Sequence, residues 1–297
     1  MRLMSETLTS VWGPLSEPIH TEPLPEGRPA FRDNAYLGFW DRGGEVVGAF
    51  HVSTSPNAEG RRARLSLAAG GRVTEVVEPL EPYSFTSASI GFDLDRRITV
   101  DGPGLAGELT CTPLFALADY SKGSIIPPLI PDEPLQHFQR AARVQGRFSL
   151  GGRDVTIDGF GIRDRTWGYR DESVSIAEYI AVTAVFDDFA LTTMRFVGAD
   201  GTDRTEGYRL GETAEPVVAL GVTRDASGLL AAAHLTMDGG APLELRVTGR
   251  LGGLWVPMGW ERRGPTMSAY DEFDRARSSD GAEGVTLTEQ GVVRRIF

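Results

Sequence analysis

The chain has 297 residues, of which 41% are hydrophobic and 24% charged, and its formal net charge is −11. This length allows two domains of ordinary size, and the apolar content suffices for packed cores. The negative charge argues against a nucleic-acid partner and against an anionic membrane surface, since both would repel the protein. The single cysteine, Cys111, excludes an intrachain disulfide and is interpreted as a buried thiol.

The sequence shows no targeting or membrane signal. Residues 1–7 contain no apolar stretch of the kind found in secretory signals, and no apolar run approaches the roughly 20 residues of a spanning helix. We therefore expect a cytoplasmic protein, a monomer or homodimer, without membrane insertion.

Strand patterns dominate the chain from start to end. Apolar and polar residues alternate over 90–95, 143–150 and 243–251. Gly151-Gly152 predicts a tight hairpin after the second of these, and 36 glycines supply further turns. Only residues 132–143 have a helical pattern. The sequence therefore favours all-β barrels or sandwiches.

A proline-rich segment divides the chain in two. Residues 123–134 contain four prolines, which disfavour regular strand pairing. We predict an N-terminal β-barrel-like domain over residues 1–134, including this linker, and a C-terminal barrel over 135–297.

Common cofactor motifs are missing from the sequence. The four histidines are scattered, and neither a His-Glu-x-x-His run nor a Cys/His cluster occurs, so no metal site is predicted. Residues 102–107 match G-x-G-x-x-G, but an alternating strand pattern follows instead of a helix. We therefore predict that the protein uses no metal, nucleotide or other cofactor.

The most informative segment runs from residue 159 to 171, with the sequence GFGIRDRTWGYRD. A solvated loop rarely carries a Trp, and a core strand rarely carries Arg-Asp-Arg without ion pairs. The mixture indicates a chain at the edge of a pocket. There Asp164 would pair with Arg163 or Arg170 and fix Trp167, although a purely structural Arg–Asp pair explains the same residues.

This segment resembles the "G-x-RDHSWG-x-R" signature of the carotenoid-hydratase-like and AttH-like proteins, which are tandem lipocalin-like barrels. Residues 135–146, LQHFQRAARVQG, resemble the run that precedes this signature. The resemblance implies two lipocalin-like β-barrel domains packed side by side. It also implies hydratase activity on isoprenoids or cyclisation of polyketide polyenes. The usual His of the signature is Arg165 here, and the usual Ser is Thr166, so a mechanism that needs that His would not apply.

Candidate site residues come from this segment and from other aromatic positions. Asp164 leads the carboxylates, while Asp171 is a further candidate and Glu178 and Glu289 are expected on the solvated surface. His137, the histidine in a recognisable motif, is a second catalytic candidate, unless it forms only an inter-domain contact. The predicted substrate-binding residues are Trp167, Gln139, Arg163, Arg170, Trp40, Trp255 and Trp260, although a Trp more often fills the core or the end of a barrel.

Two functional hypotheses follow. The first is a cofactor-free cyclase, hydratase or isomerase that acts on a hydrophobic polyene, polyketide or isoprenoid in a pocket at the domain junction. The second is a non-catalytic lipocalin-like carrier of an apolar molecule, which the missing signature His would suit.

Overall fold

The protein is built almost wholly of antiparallel strands. The computed structural model describes residues 10–123, 125, 126, 128–170, 176–239, 242–258 and 267–293. Apart from a 3-10 turn at Gly13–Ser16, the regular elements in these ranges are strands, which confirms the all-β prediction. In chain order they are β1 (Phe31–Asp41), β2 (Val46–Thr54), β3 (Arg62–Ala69), β4 (Arg72–Pro79), β5 (Ile90–Phe92), β6 (Arg97–Gly102), β7 (Leu105–Pro113), β8 (Ala118–Asp119), β9 (Gln136–Leu150), β10 (Arg153–Tyr169), β11 (Ile176–Val185), β12 (Ala190–Gly198), β13 (Asp203–Leu210), β14 (Ala214–Arg224), β15 (Leu230–Met237), β16 (Pro242–Met258), β17 (Met267–Ser278) and β18 (Glu283–Val293).

The strands form two units that lie side by side. The first is a curled ten-stranded sheet in the order β4-β3-β2-β1-β10-β9-β7-β6-β5, with β8 paired to β9. The second is a closed barrel of the eight strands β11 to β18 in sequential order. The predicted pair of β-barrel-like units is therefore present, with the first unit an open sheet.

The predicted division at residues 134/135 does not match the division of the sheets. Strand β10 pairs with β1 in continuous register from Phe31 opposite Tyr169 to Asp41 opposite Gly159, and β9 pairs with β10. Both long strands therefore belong to the first unit, and the change of unit falls between Tyr169 and Ile176. The proline-rich segment is a connection within the first unit.

The helical expectation for residues 132–143 is also wrong. Strand β9 begins at Gln136, because β10 and β7 offer it ladder partners along most of its length. Tertiary pairing of this kind overrides a short local pattern.

Three hydrophobic cores follow from the period-two alternation of the strands. In β1, Leu37 and Phe39 pack inside the first unit, whereas Trp40 packs toward the barrel. In β11, Val182 points into the barrel and Ala181 packs outward against the sheet. The middle core thus joins one face of the sheet to the outer wall of the barrel.

No helix within the described ranges is long and apolar enough to cross a membrane.

Candidate active site

A cavity of about 110 Å³ lies in this middle layer, between the sheet and the barrel wall. From the sheet unit, its polar lining residues are Asn34, Tyr36, His51, His137, Gln139, Asp164, Thr166 and Arg170. From the barrel, its lining residues include Tyr179, Met194, Phe196, Asp271, Leu287 and Glu289. Polar groups from one unit therefore face a mixture of apolar side chains and carboxyl groups from the other.

A glycine allows the two units to approach each other beside the cavity. Gly38 lies on the face of β1 that looks toward the barrel, and a Cβ at this position would collide with the side chain of Leu287. Glycine at this position therefore leaves room for the Leu287 side chain of the barrel wall.

Asp164 is the anchor of the sheet side of the cavity. His137 lies opposite Thr166 and Gln139 lies opposite Asp164 on the neighbouring strand β9, so these side chains share one face. Nε2 of His137 hydrogen-bonds to Oδ2 of Asp164, and Nε2 of Gln139 donates to the same oxygen at 3.0 Å. The hydroxyl of Thr166 donates to Oδ1 at 2.9 Å. Both carboxylate oxygens of Asp164 are thus held in place.

These contacts favour the ionised form of Asp164. Burial alone would raise its pKa, but the charge of His137 and the three hydrogen bonds outweigh burial and lower the pKa below its ordinary value. Asp164 is therefore an anion inside a largely apolar cavity at neutral pH.

Two carboxyl groups from the barrel face this anion, and each bonds to a tyrosine. The Tyr36 hydroxyl donates to Oδ2 of Asp271 at 2.9 Å, and the Tyr179 hydroxyl donates to Oε1 of Glu289. Burial raises the pKa of Asp271 to about 7. Burial, followed by the negative charge of Asp164, raises the pKa of Glu289 to about 7 as well. Protonated and ionised carboxyl groups therefore coexist in one cavity near neutral pH.

His51 is a neutral component of the same wall. Burial, followed by the positive charge of Arg170, lowers the pKa of His51 to about 4. Its ring packs at 6.2 Å from the ring of Tyr36, in an edge-on arrangement. At physiological pH it is an uncharged hydrogen-bonding group.

Several buried polar atoms in the wall are without an internal partner. Within the described ranges, Nδ1 of His137, Oε1 of Gln139 and Oδ1 of Asp271 make no hydrogen bond. Buried polar groups are normally satisfied, so these three atoms are candidate contacts for a bound molecule.

Two predicted substrate-binding residues lie on the opposite side of β10 from the cavity. Arg163 is 2% exposed, donates to the carbonyl oxygen of Leu94 at 2.9 Å and stacks 4.3 Å from the Trp12 ring centroid. Trp167 packs in the core of the first unit, with its ring 5.4 Å from that of Phe138. The prediction that Trp167 lines the cavity with His137 is therefore wrong. Successive side chains of a strand point to opposite faces of the sheet, so Arg163 and Trp167 lie on the face opposite to that of Asp164.

The sequence predicted an ion pair of Asp164 with Arg163 or Arg170, but the Arg163 guanidinium binds the carbonyl oxygens of Leu94 and Asp95 instead. Arg165, at the position of the signature His, pairs with Asp33 in the interior of the first unit. Both side chains are 1% exposed, and Nδ1 of His20 adds a contact to Asp33 at 3.2 Å. The structural Arg–Asp pair that the segment suggested exists, but it uses the neighbouring arginine and a distant aspartate.

The remaining candidates are spread over the molecule. Arg170, which was predicted to bind substrate, lies in the wall of the cavity. Trp40 lines a separate groove, with its ring 6.3 Å from that of Phe273, and Trp255 is 58% exposed. Trp260 and Asp171 lie outside the described residues.

The structure also corrects the expectation for one of the two surface carboxylates. Glu178 is exposed, as expected, and pairs with Arg224 at 3.6 Å. Glu289 is only half-buried but lines the cavity, so its assignment to the solvated surface is wrong. Period-two alternation with the apolar Val285 and Leu287 was the signal in the sequence that would have placed Glu289 on a packed face.

Within the described ranges, no group of three or more His, Cys, Asp or Glu side chains is arranged to hold a metal ion.

Comparison with known proteins gives a family and a fold. A family model described as "Domain of unknown function (DUF7064)" matches residues 17–292. No curated protein matches the chain. The structure is similar to that of a putative AttH from Nitrosomonas europaea, with 13% identity, a TM-score of 0.62, and coverage of 92% of this chain and 100% of that one.

Two other solved structures share the fold. CghA has 12% identity and a TM-score of 0.61, with 91% of this chain and 90% of that chain covered. It has also been crystallised with Sch210972. Kievitone hydratase from Nectria haematococca has 11% identity and a TM-score of 0.59, with 95% of this chain and 97% of that chain covered. At these identities the similarity establishes the fold alone.

Proposed function

We propose that this chain, which belongs to the DUF7064 family, is a cofactor-independent enzyme of the cyclase, hydratase or isomerase type that acts on a hydrophobic small molecule. The observation that carries the proposal is the set of carboxyl groups in the junction cavity. One ionised group, Asp164, faces two groups, Glu289 and Asp271, whose pKa values are raised to about 7. Carboxyl groups whose surroundings shift their pKa values in opposite directions are typical of a general acid and a general base that act together.

The geometry suits proton addition to a double bond. Glu289 donates a proton to one carbon of an alkene or enol, and the nearby Asp164 anion stabilises the positive charge that develops on the other carbon. The pair of His137 and Asp164 then accepts a proton. Taken from a water that adds its oxygen, this proton completes a hydration; taken from a neighbouring carbon of the substrate, it completes a double-bond shift.

The same cavity supports a cyclisation. A protonated Asp271 or Glu289 can donate a hydrogen bond to a conjugated carbonyl, and a closed cavity holds a flexible chain in a reactive pose. The solved relatives support a small-molecule substrate: kievitone hydratase is a hydratase by name, and CghA has been crystallised with Sch210972. The carboxyl cluster favours the reactions that move a proton.

The test is turnover of candidate polyenes, terpenoids and polyketides, followed by liquid chromatography and mass spectrometry. A gain of the mass of one water indicates hydration, and an unchanged mass with a shifted retention time indicates cyclisation or isomerisation. Repeating the reaction in deuterium oxide separates the last two, because protonation at carbon by Glu289 incorporates deuterium and a concerted cyclisation does not.

Two variants connect the activity to the cavity. Glu289→Gln removes the acid and should lower turnover by about 10²–10⁴-fold. Glu178→Gln changes an exposed carboxylate of the same unit and should leave turnover unchanged. Binding of these compounds without conversion of any of them would instead identify a carrier.

A further inference from the structure

One wall of the junction cavity continues into a row of arginines. The register of β1, β2 and β3 aligns Asn34 with Ser53 and Arg62. Side chains aligned across antiparallel strands lie on one face of a sheet. Arg62 therefore lies on the cavity face, two strand spacings or about 10 Å from Asn34, within the reach of a guanidinium group.

Arg62 carries a charge that its surroundings do not neutralise. It is half-buried, and no ion pair or side-chain hydrogen bond joins it to another residue in the ranges that the structure describes. Its neighbour Arg64 differs, because it pairs with Glu75 and donates to the hydroxyl of Ser66 at 3.0 Å. Half-buried charges without a counter-ion are costly, so Arg62 is a natural contact for an anion.

Arg170 brings a second positive charge to the same wall. It lines the cavity directly, and an Asn34 amide oriented with its oxygen toward Arg170 lies 3.2 Å from Nη1. The positive charges of Arg170, Arg62 and Arg64 all act on His51 and help to lower its pKa. The β2–β3 side of this wall therefore carries arginines, whereas Asp164 lies on its β9–β10 side.

Beside its two carboxyl groups, the barrel wall of the cavity provides apolar surface. Met194, Phe196 and Leu287 supply apolar surface from the barrel. A molecule that fits both walls has an apolar body and one anionic end.

We propose that the substrate of this cavity is an amphipathic organic anion, a carboxylate or an acidic enolate, whose charged end is bound by Arg62 and Arg170 beside His51. The inference rests on the proposed function, since it names the substrate class of the same site. The arginines fix the anionic end at the β2–β3 side, and the apolar body extends toward Leu287. This orientation places the reacting carbons between Asp164 and Glu289.

The test compares two matched pairs of probes by isothermal titration calorimetry. One pair is trans-cinnamate and methyl cinnamate. The other is dimedone, an enolate at neutral pH, and its neutral methyl enol ether. We expect the anion of at least one pair to bind about tenfold more tightly than its neutral partner, as charge-assisted hydrogen bonds to arginine require. Which pair shows the preference distinguishes a carboxylate from an enolate.

The variants are Arg62→Gln and Arg170→Gln, and the matched control is Arg147→Gln, an exposed arginine far along β9. The first two should remove most of the preference for the anion, measured as the ratio of the affinities for the charged and the neutral member of a pair, whereas the control should keep that ratio. Equal affinity of the wild-type protein for both members of each pair overturns the proposal, even if a variant fails to fold. So does an equal loss in the control.

The outcome is separate from that of the proposed function. A protein that prefers anions but converts none of the candidate substrates would keep this inference and lose the enzyme. Turnover of neutral substrates without any anion preference would do the opposite.

Discussion

The two faces of strand β10 perform different tasks with adjacent residues. Asp164 and Thr166 face the junction cavity and form its hydrogen-bonded anchor, whereas Arg163, Arg165 and Trp167 face the interior of the first unit. A run of conspicuous residues in a sequence is therefore not one site. In a strand, adjacent side chains point to opposite faces of the sheet. The odd-numbered and even-numbered residues of a motif therefore have to be considered as two separate groups.

On the cavity face of β10, the largest effect on activity is expected at Asp164. Asp164→Asn removes the anion that pairs with His137, and we expect turnover to fall by about 10²–10⁴-fold. The free energy of unfolding should fall by only about 1–3 kcal/mol, because the asparagine keeps the shape and some of the hydrogen bonds. Steady-state kinetics and urea unfolding of the same preparation check both numbers. A stability loss that explains the entire loss of activity would make Asp164 a structural residue.

On the face of β10 that looks into the first unit, the largest effect on stability is expected at the buried ion pair of Arg165 and Asp33. Arg165→Met leaves the Asp33 carboxylate buried without its main partner, and we expect a loss of about 3–5 kcal/mol in the free energy of unfolding. The double variant Arg165→Met/Asp33→Leu removes both charges and should recover much of this loss. Turnover per folded molecule should change little in either. If the double variant is as unstable as the single one, the pair is not the source of the stability.

A third prediction concerns pH. Glu289 and Asp271 have pKa values near 7 in the folded protein, above the values near 4 of an unfolded chain. Between about pH 4.5 and 7 the unfolded chain thus binds fewer protons, so stability decreases as the pH rises through this window. Urea midpoints at pH 5 and 7.5 should show this decrease, and Glu289→Gln should reduce it. Asp274, another buried carboxyl with a pKa of about 7, leaves a residual slope. An unchanged slope in Glu289→Gln would show that Glu289 titrates normally.

The fold was largely predictable because strand alternation and turns are local signals. The all-β class follows from such patterns, and the extended form of residues 137–139 places His137 and Gln139 on one face. The unit boundary was not predictable from composition, because a proline-rich loop resembles a linker whether or not the strands after it return to the first sheet. That return depends on the pairing of β10 with β1, a contact between segments over a hundred residues apart.

The sheet side of the site could be predicted from the sequence and the barrel side could not, because only the first depends on local pairing. Asp164, His137 and Gln139 lie on adjacent strands joined by one hairpin, so sequence proximity brings them together. Their counterparts Asp271 and Glu289 come from the barrel strands β17 and β18, more than 100 residues later. The alternation of Glu289 with Val285 and Leu287 indicates a packed face, but nothing local indicates that this face packs against the first sheet.

The smallest and most direct test uses two consecutive residues, Thr166 and Trp167. Thr166→Val removes one hydrogen bond to Asp164 and adds no bulk, so stability should fall by about 0.5–1.5 kcal/mol and turnover by a few-fold. Trp167→Phe removes packing from the core of the first unit, where the ring stacks near His20 at 5.1 Å, and should cost about 1–2 kcal/mol with unchanged kcat and KM. Kinetics and urea unfolding of both variants check this contrast. A change in kcat for Trp167→Phe as large as that for Thr166→Val would mean that the two faces of β10 are not independent, and that the core of the first unit controls the geometry of Asp164.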